Sequence, residues 1–224
     1  MSTRMRTGWV AAVAALSCTA CTSSLFDSEL PVPSAYVIAS ARGGTVTGAP
    51  STPVDISIGR PDFSPGLDSE RIAVLKGREL DYFRGVRWGG RTVEVVQNML
   101  VATMNDQQLF RSVTAEQSRV ANDYTLDVEV RNFEAEYAQG PTPDAHVMII
   151  GRLIRVADRR LVATVSSDAR VSATEDRMSA VAAAFEGAAQ KVAVDLTRQT
   201  AVAVAEDQPA LRKLRGESNE PRPE

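Results

Sequence analysis

The stretch Tyr124-Thr125-Leu126-Asp127-Val128-Glu129-Val130-Arg131-Asn132-Phe133-Glu134-Ala135-Glu136-Tyr137 decides the fold. Tyr124, Leu126, Val128 and Val130 fall on one side of an extended chain, and Thr125, Asp127, Glu129 and Arg131 on the other, the period-2 pattern of a half-buried strand. The apolar phase then slips to Phe133, Ala135 and Tyr137. One extra residue near Arg131-Asn132 predicts a β-bulge. Downstream, Gly140-Pro141-Thr142-Pro143 is loop chemistry. Val147 to Val156 is apolar at most positions, as in a central strand covered on both faces. Ala157-Asp158-Arg159-Arg160 turns the chain into a third strand, Leu161 to Val171. The loops are too short for crossovers, so the three strands form an antiparallel meander.

Outward from this core, Val54-Asp55-Ile56-Ser57-Ile58 alternates and is stopped by Gly59-Arg60-Pro61. Ile72 and Val74, then Leu80 and Tyr82, alternate on either side of Lys76-Gly77, a tight hairpin. Thr92 is placed to cap a helix with Glu94 in its first turn, and Val93, Val96, Leu100 and Met104 share one face of it. Beyond the meander, residues 172–175 read Ser-x-x-Glu, a capping box. Met178, Val181, Phe185, Ala188, Val192 and Leu196 then mark a long amphipathic helix. The expected fold class is α+β: an antiparallel sheet with two packed helices, in strands-helix-strands-helix order.

The flanks differ in composition. Residues 22–53 are rich in Ser, Thr, Pro and Gly, as in a flexible tether of about 30 residues, interrupted by Tyr36-Val37-Ile38, a candidate early strand. The segment 205–224 holds Pro209, Pro221, Pro223 and many charges, and is expected to be a disordered, solvated tail. The expected division is 1–20 signal peptide, 21–53 modified N-terminus and tether, 34–204 folded domain and 205–224 tail.

At the N-terminus, Arg4 and Arg6 precede the uncharged run Trp9 to Leu16. Such a run spans about 12 Å as a helix, far short of a membrane span, and has the layout of a secretory signal. Ser17-Cys18-Thr19-Ala20-Cys21-Thr22 resembles a bacterial lipobox. Cys21 is the favoured lipidation site, because Ala20 precedes it and a Ser-rich segment follows. Cys18, preceded by Ser17, is the alternative. No Asp follows either cysteine, and by resemblance to the lipoprotein sorting rule the expected location is the outer membrane, facing the periplasm.

Length and charge bound the function. The chain has 224 residues, a net charge of −3 and one histidine, His146. The acidic balance argues against nucleic-acid binding, which needs a basic face. The two cysteines both lie in the signal region, so there is no disulfide framework. A single histidine makes a His-rich metal site unlikely to be encoded. P-loop, nucleophile-elbow and zincin motifs are all missing from the sequence. Glu79 with Asp81, and Asp127 with Glu129, are carboxylate pairs of the kind common on solvated strand faces. His146, beside a central strand, reads as a hydrogen-bonded structural residue. No catalytic, cofactor-binding or metal-ligating residue is therefore assigned, and no cofactor is expected.

The order of features is similar to one family. The lipobox and Pro-rich tether with Tyr36-Val37-Ile38 come first. Leu67-Asp68-Ser69-Glu70-Arg71-Ile72-Ala73-Val74, Leu80-Asp81-Tyr82-Phe83 and Arg87-Trp88 follow. The Val93–Leu100 helix, Phe110, Asn122-Asp123-Tyr124-Thr125-Leu126, Phe133, Leu153 to Arg160 and the helix around Ala182-Ala183-Ala184-Phe185 complete the series. This series resembles the ABC-type transport auxiliary lipoproteins, the group that includes paraquat-inducible protein C. Two departures are Cys18 at the −3 position and the lack of a Pro early in the first long helix. The resemblance implies a non-catalytic, lipid-anchored subunit. Its partners would be a mammalian-cell-entry (MCE) domain protein with an ABC permease and ATPase, in a system moving phospholipid between membranes. A homo-oligomeric ring is compatible with such a role. Trp88 and Tyr82 carry part of the resemblance but are expected to be core residues. Two rival readings are a structural lipoprotein of an outer-membrane assembly machine and a periplasmic enzyme built around His146.

Overall fold

The computed structural model describes residues 32–41, 46, 48–138 and 140–217. Among them the elements run β1 (Ser34–Tyr36), β2 (Thr52–Ile58), β3 (Asp62–Phe63), β4 (Ala73–Lys76), β5 (Glu79–Tyr82), β6 (Val86–Trp88) and α1 (Thr92–Asp106). They continue as β7 (Phe110–Ala115), a short 3-10 turn (Glu116–Ser118), β8 (Tyr124–Glu136), β9 (Asp144–Arg155), β10 (Arg160–Ser172) and α2 (Met178–Glu217). The class is α+β, with a mainly antiparallel sheet in the expected element order.

The meander forms as the alternation requires. β8 pairs antiparallel with β9, Val128 opposite Gly151, and β9 pairs antiparallel with β10, Ser166 opposite Ile150. The register of β8 shifts between Val130 and Asn132, where the apolar phase slips in sequence. The Lys76-Gly77 hairpin is also present: Lys76 faces Glu79 across a two-residue loop. Gly77 has φ +65° at the first loop position, the left-handed conformation that a type II′ hairpin demands.

The other edge of β8 has a parallel topology that the alternation does not reveal. β2, β3 and β4 each pair parallel with β8, at Ile56↔Tyr124, Asp62↔Glu129 and Val74↔Ala135 in turn. Between them, Gly59 N–H bonds the Leu126 carbonyl at 2.9 Å and Ser64 N–H bonds the Val130 carbonyl at 3.0 Å. Residues 52–76 thus run beside β8 as one interrupted strand. β2 also pairs parallel with β7, so the main sheet path is β10-β9-β8-β2-β7.

Both helices bury an apolar face. Val93, Val96, Leu100 and Met104 of α1 are buried, as are Val181, Phe185, Ala188, Val192 and Leu196 of α2. The aromatic centre of the core is Trp88, Phe133 and Phe185. Trp88 lies edge-on to both phenylalanines, at 5.7 and 5.2 Å between ring centroids. Phe133 is available to this cluster because the bulge turns the end of β8 by one residue.

Four local expectations are corrected. Thr92 is the first residue of α1, not its cap; its hydroxyl donates to the Ser69 carbonyl at 2.5 Å and ties the helix start to a preceding loop. Residues 172–175 do not cap α2. Ser172 is the last residue of β10, opposite Asp144, and the helix starts at Met178, with the Arg177 carbonyl accepting from Ala180 N–H and Val181 N–H. The tether is shorter than composition suggests, since β1 pairs with β6, and Val46 N–H bonds the Gln107 side chain at 3.0 Å. Finally, residues 205–217 are helical where a disordered tail was expected. Val204 and Leu211 are buried, and Asp207 accepts from the Tyr124 hydroxyl at 3.0 Å and from Arg155 at 3.3 Å. These long-range contacts offset the unfavourable Pro209 inside the helix.

Candidate functional site

Cys21 and Cys18 lie outside the described residues. Beyond β1, residues 37–41 run along α1 and α2. Ala39 N–H bonds Glu186 at 3.3 Å, and Gln190 donates to the Ala39 carbonyl at 3.1 Å. Beside this segment, Val37, Ile38, Gly89, Val95 and Met99 line a groove of about 370 Å³.

The densest cluster of titratable groups forms on the opposite face of the sheet. Phe133 packs against Phe185 on the helix side, so strand alternation sends Glu134 and Glu136 to the other face. The ladder sets Glu134 opposite His146, and His146 opposite Arg170. His146 Nδ1 lies 2.7 Å from Glu136 Oε1 and 2.9 Å from an Arg170 guanidinium nitrogen. His146 Nε2 lies 3.0 Å from Asp168 Oδ1. His146 is 4% exposed and Glu134 3%. Glu134 accepts from the Asn132 amide and from Phe133 N–H, each at 2.6 Å. Burial pushes its carboxyl above the ordinary Glu value, against those hydrogen bonds and the nearby imidazole. Arg170 also approaches Glu136, at 3.4 Å.

His146 is thus hydrogen-bonded within a buried network, and Glu134, Glu136, Asp168 and Arg170 are the residues missed from sequence. Their signal was present: once the bulge and meander are set in register, positions 134, 146 and 170 fall side by side. The carboxylate pairs noted from sequence do not join them. Glu79 and Asp81 sit exposed on the β5 hairpin. Glu129 bonds Arg152 at 2.5 Å and Arg131 at 3.0 Å, and these guanidinium groups, Arg152 first, hold its carboxyl below the usual Glu value. Tyr82 donates to the Gly66 carbonyl at 2.7 Å with Arg71 over its ring, and Trp88 is a core residue.

The fold and these placements can be set against known proteins. The family model described as "ABC-type transport auxiliary lipoprotein component" matches residues 36–197, from the last residue of β1 to well inside α2. The chain belongs to this family. Membership gives it an auxiliary role in ABC-type transport and agrees with a membrane-anchored, periplasmic lipoprotein. No helix among the described residues is long and apolar enough to cross a membrane. Among solved structures, protein XCC0632 of Xanthomonas campestris, of the family DUF330, is 25% identical with a TM-score of 0.72, over 79% of this chain and 99% of that one. An uncharacterised protein shares the fold at 13% identity and a TM-score of 0.55, covering 73% of this chain and 99% of that one. No curated protein matches the chain.

Proposed function

We propose that this protein is a non-catalytic, lipid-anchored subunit that docks the MCE-domain component of an ABC-type phospholipid transport system at the outer membrane. The observation that carries this reading is the family match over residues 36–197, which spans nearly the whole folded domain and follows a lipobox-like sequence. Energy for transport would come from a separate ATPase, in keeping with the missing P-loop motif. The anchor is Cys21, with Cys18 as the alternative acceptor. From Ser34 onward the chain is paired with the domain, through β1 and β6. A lipid anchor keeps the domain at its membrane, where it meets a partner approaching from the other side.

Two measurements test this. Metabolic labelling with a palmitate analogue marks the wild type and is lost in Cys21→Ser; labelling lost in Cys18→Ser instead moves the site, and no labelling at all defeats the anchor. The tagged full chain, solubilised in detergent, co-purifies with the MCE protein encoded beside it. If it instead co-purifies with outer-membrane assembly proteins, the docking role is wrong.

A further inference from the structure

The face of the sheet away from the helices buries more negative charge than it neutralises. Glu134 is 3% exposed, and among the described residues no Arg or Lys pairs with it; its nearest cationic candidate is His146 Nδ1 at 3.8 Å. A carboxylate taken out of water without a cation is costly unless it is protonated or a cation joins it. Arg170 serves Glu136, not Glu134, and its side chain is 51% exposed on a strand at the sheet edge, free to swing outward.

We propose that Glu134, Glu136 and His146 bind a divalent transition cation of the zinc class, with Arg170 in the position of a displaceable cation. Their three ligand atoms lie within 4.8 Å of one another. A zinc-class ion sits about 2.0–2.2 Å from nitrogen and oxygen ligands of this kind. One imidazole nitrogen and two carboxylates, with coordination positions left over, suit zinc or cobalt better than an all-oxygen site would. The imidazole is held as ligands usually are: Nε2 faces the Asp168 carboxylate at 3.0 Å, and with the ring proton on that side the Nδ1 lone pair is left for the metal. Nδ1 and Glu136 Oε1 lie 2.7 Å apart, and in that tautomer both can turn a lone pair to one cation. The Arg170 guanidinium, 2.9 Å from Nδ1, already satisfies that lone pair. The ion must therefore compete with it. The site needs a single histidine, so a chain with one histidine can still build it. It is independent of the docking role.

The test is calorimetric titration of the chelator-treated full chain, in detergent, with zinc sulfate, backed by the visible spectrum of the Co²⁺ form. One equivalent of Zn²⁺ binds the wild type. Arg170→Ala, which removes the competing cation, tightens binding at least tenfold, whereas a purely structural network would show no gain. Glu136→Gln weakens binding at least tenfold, and His146→Asn removes the nitrogen ligand from the Co²⁺ spectrum. Should either of these variants unfold, the Arg170→Ala gain remains the deciding measurement. No binding by wild type or Arg170→Ala overturns the proposal, as does binding that persists unchanged in a folded His146→Asn chain.

Discussion

The protein buries charge at two ends of its meander, and the two ends are built differently. Where β9 ends, Arg155 is 2% exposed but faces two carboxylates, Asp158 at 3.0 Å and Asp207 at 3.3 Å. Asp207 also holds the Tyr124 hydroxyl, and burial, then this contact, push the Tyr124 phenol well above its ordinary value. Beside His146, the buried carboxylate of Glu134 has no Arg or Lys partner among the described residues. The first cluster is a clasp whose buried cation is paired, and it joins the sheet to the last third of α2. The second holds a buried carboxylate met by neutral hydrogen-bond donors, Asn132 and the Phe133 N–H. Burial alone therefore does not identify a ligand site; the separating feature is whether the buried charge already has its partner within the fold.

The largest effect is expected in the core that lies between the clusters. Phe185→Ala removes the ring that touches both Trp88 and Phe133, and the urea midpoint should fall by the equivalent of about 3–5 kcal/mol. Val128, buried on the helix side of β8, should cost about 2 kcal/mol or more when cut to Ala. An unchanged midpoint in either would refute the assigned faces.

Breaking the clasp comes next. Arg155→Ala leaves Asp207 without its buried cation and should cost about 3 kcal/mol. Amide exchange should then accelerate selectively in residues 205–217. Global loss of protection with no local effect would show that the clasp does not hold the helix end.

The third prediction sharpens the contrast. In chelator-containing buffer, Glu134→Gln removes a buried charge with no Arg or Lys partner, while Asn132 can turn its amide to meet the new side chain. Stability should stay within about 1 kcal/mol of wild type or rise. A loss as large as that of Arg155→Ala would mean that the charge is fully compensated within the fold.

The smallest effect concerns Asp55. Hydrogen bonds from Arg111, and from Ser112 at 2.7 Å, hold its carboxyl below the ordinary Asp value, against a burial effect that raises it. Because the folded value is depressed, the stabilisation is present above the unfolded pKa, about 3.9. It is lost as pH falls through the folded value. Arg111→Ala should lower stability slightly at neutral pH, only slightly because the arginine is half exposed, and that difference should vanish as pH falls through the folded value, which flattens the acid limb of the stability-versus-pH curve. An unchanged acid limb would show that the pair contributes nothing.

The sequence by itself determined the α+β class, the three-strand meander, the bulge near Arg131-Asn132, the Gly77 hairpin and the apolar faces of both helices. All of these are local: alternation, helical spacing and turn chemistry act within a few residues. Tertiary structure alone decided three things. The parallel docking of residues 52–76 along β8 depends on backbone hydrogen bonds between segments some 70 residues apart, such as Ile56 and Tyr124, which no short period records. The helicity of residues 205–217 depends on Tyr124 and Arg155 reaching Asp207, and this overrides the local signal of Pro209. The joining of Glu134, His146 and Arg170 depends on one register shift carried across three strands. Each side chain looks ordinary in its own strand, and only the ladder sets their charges within reach of one another.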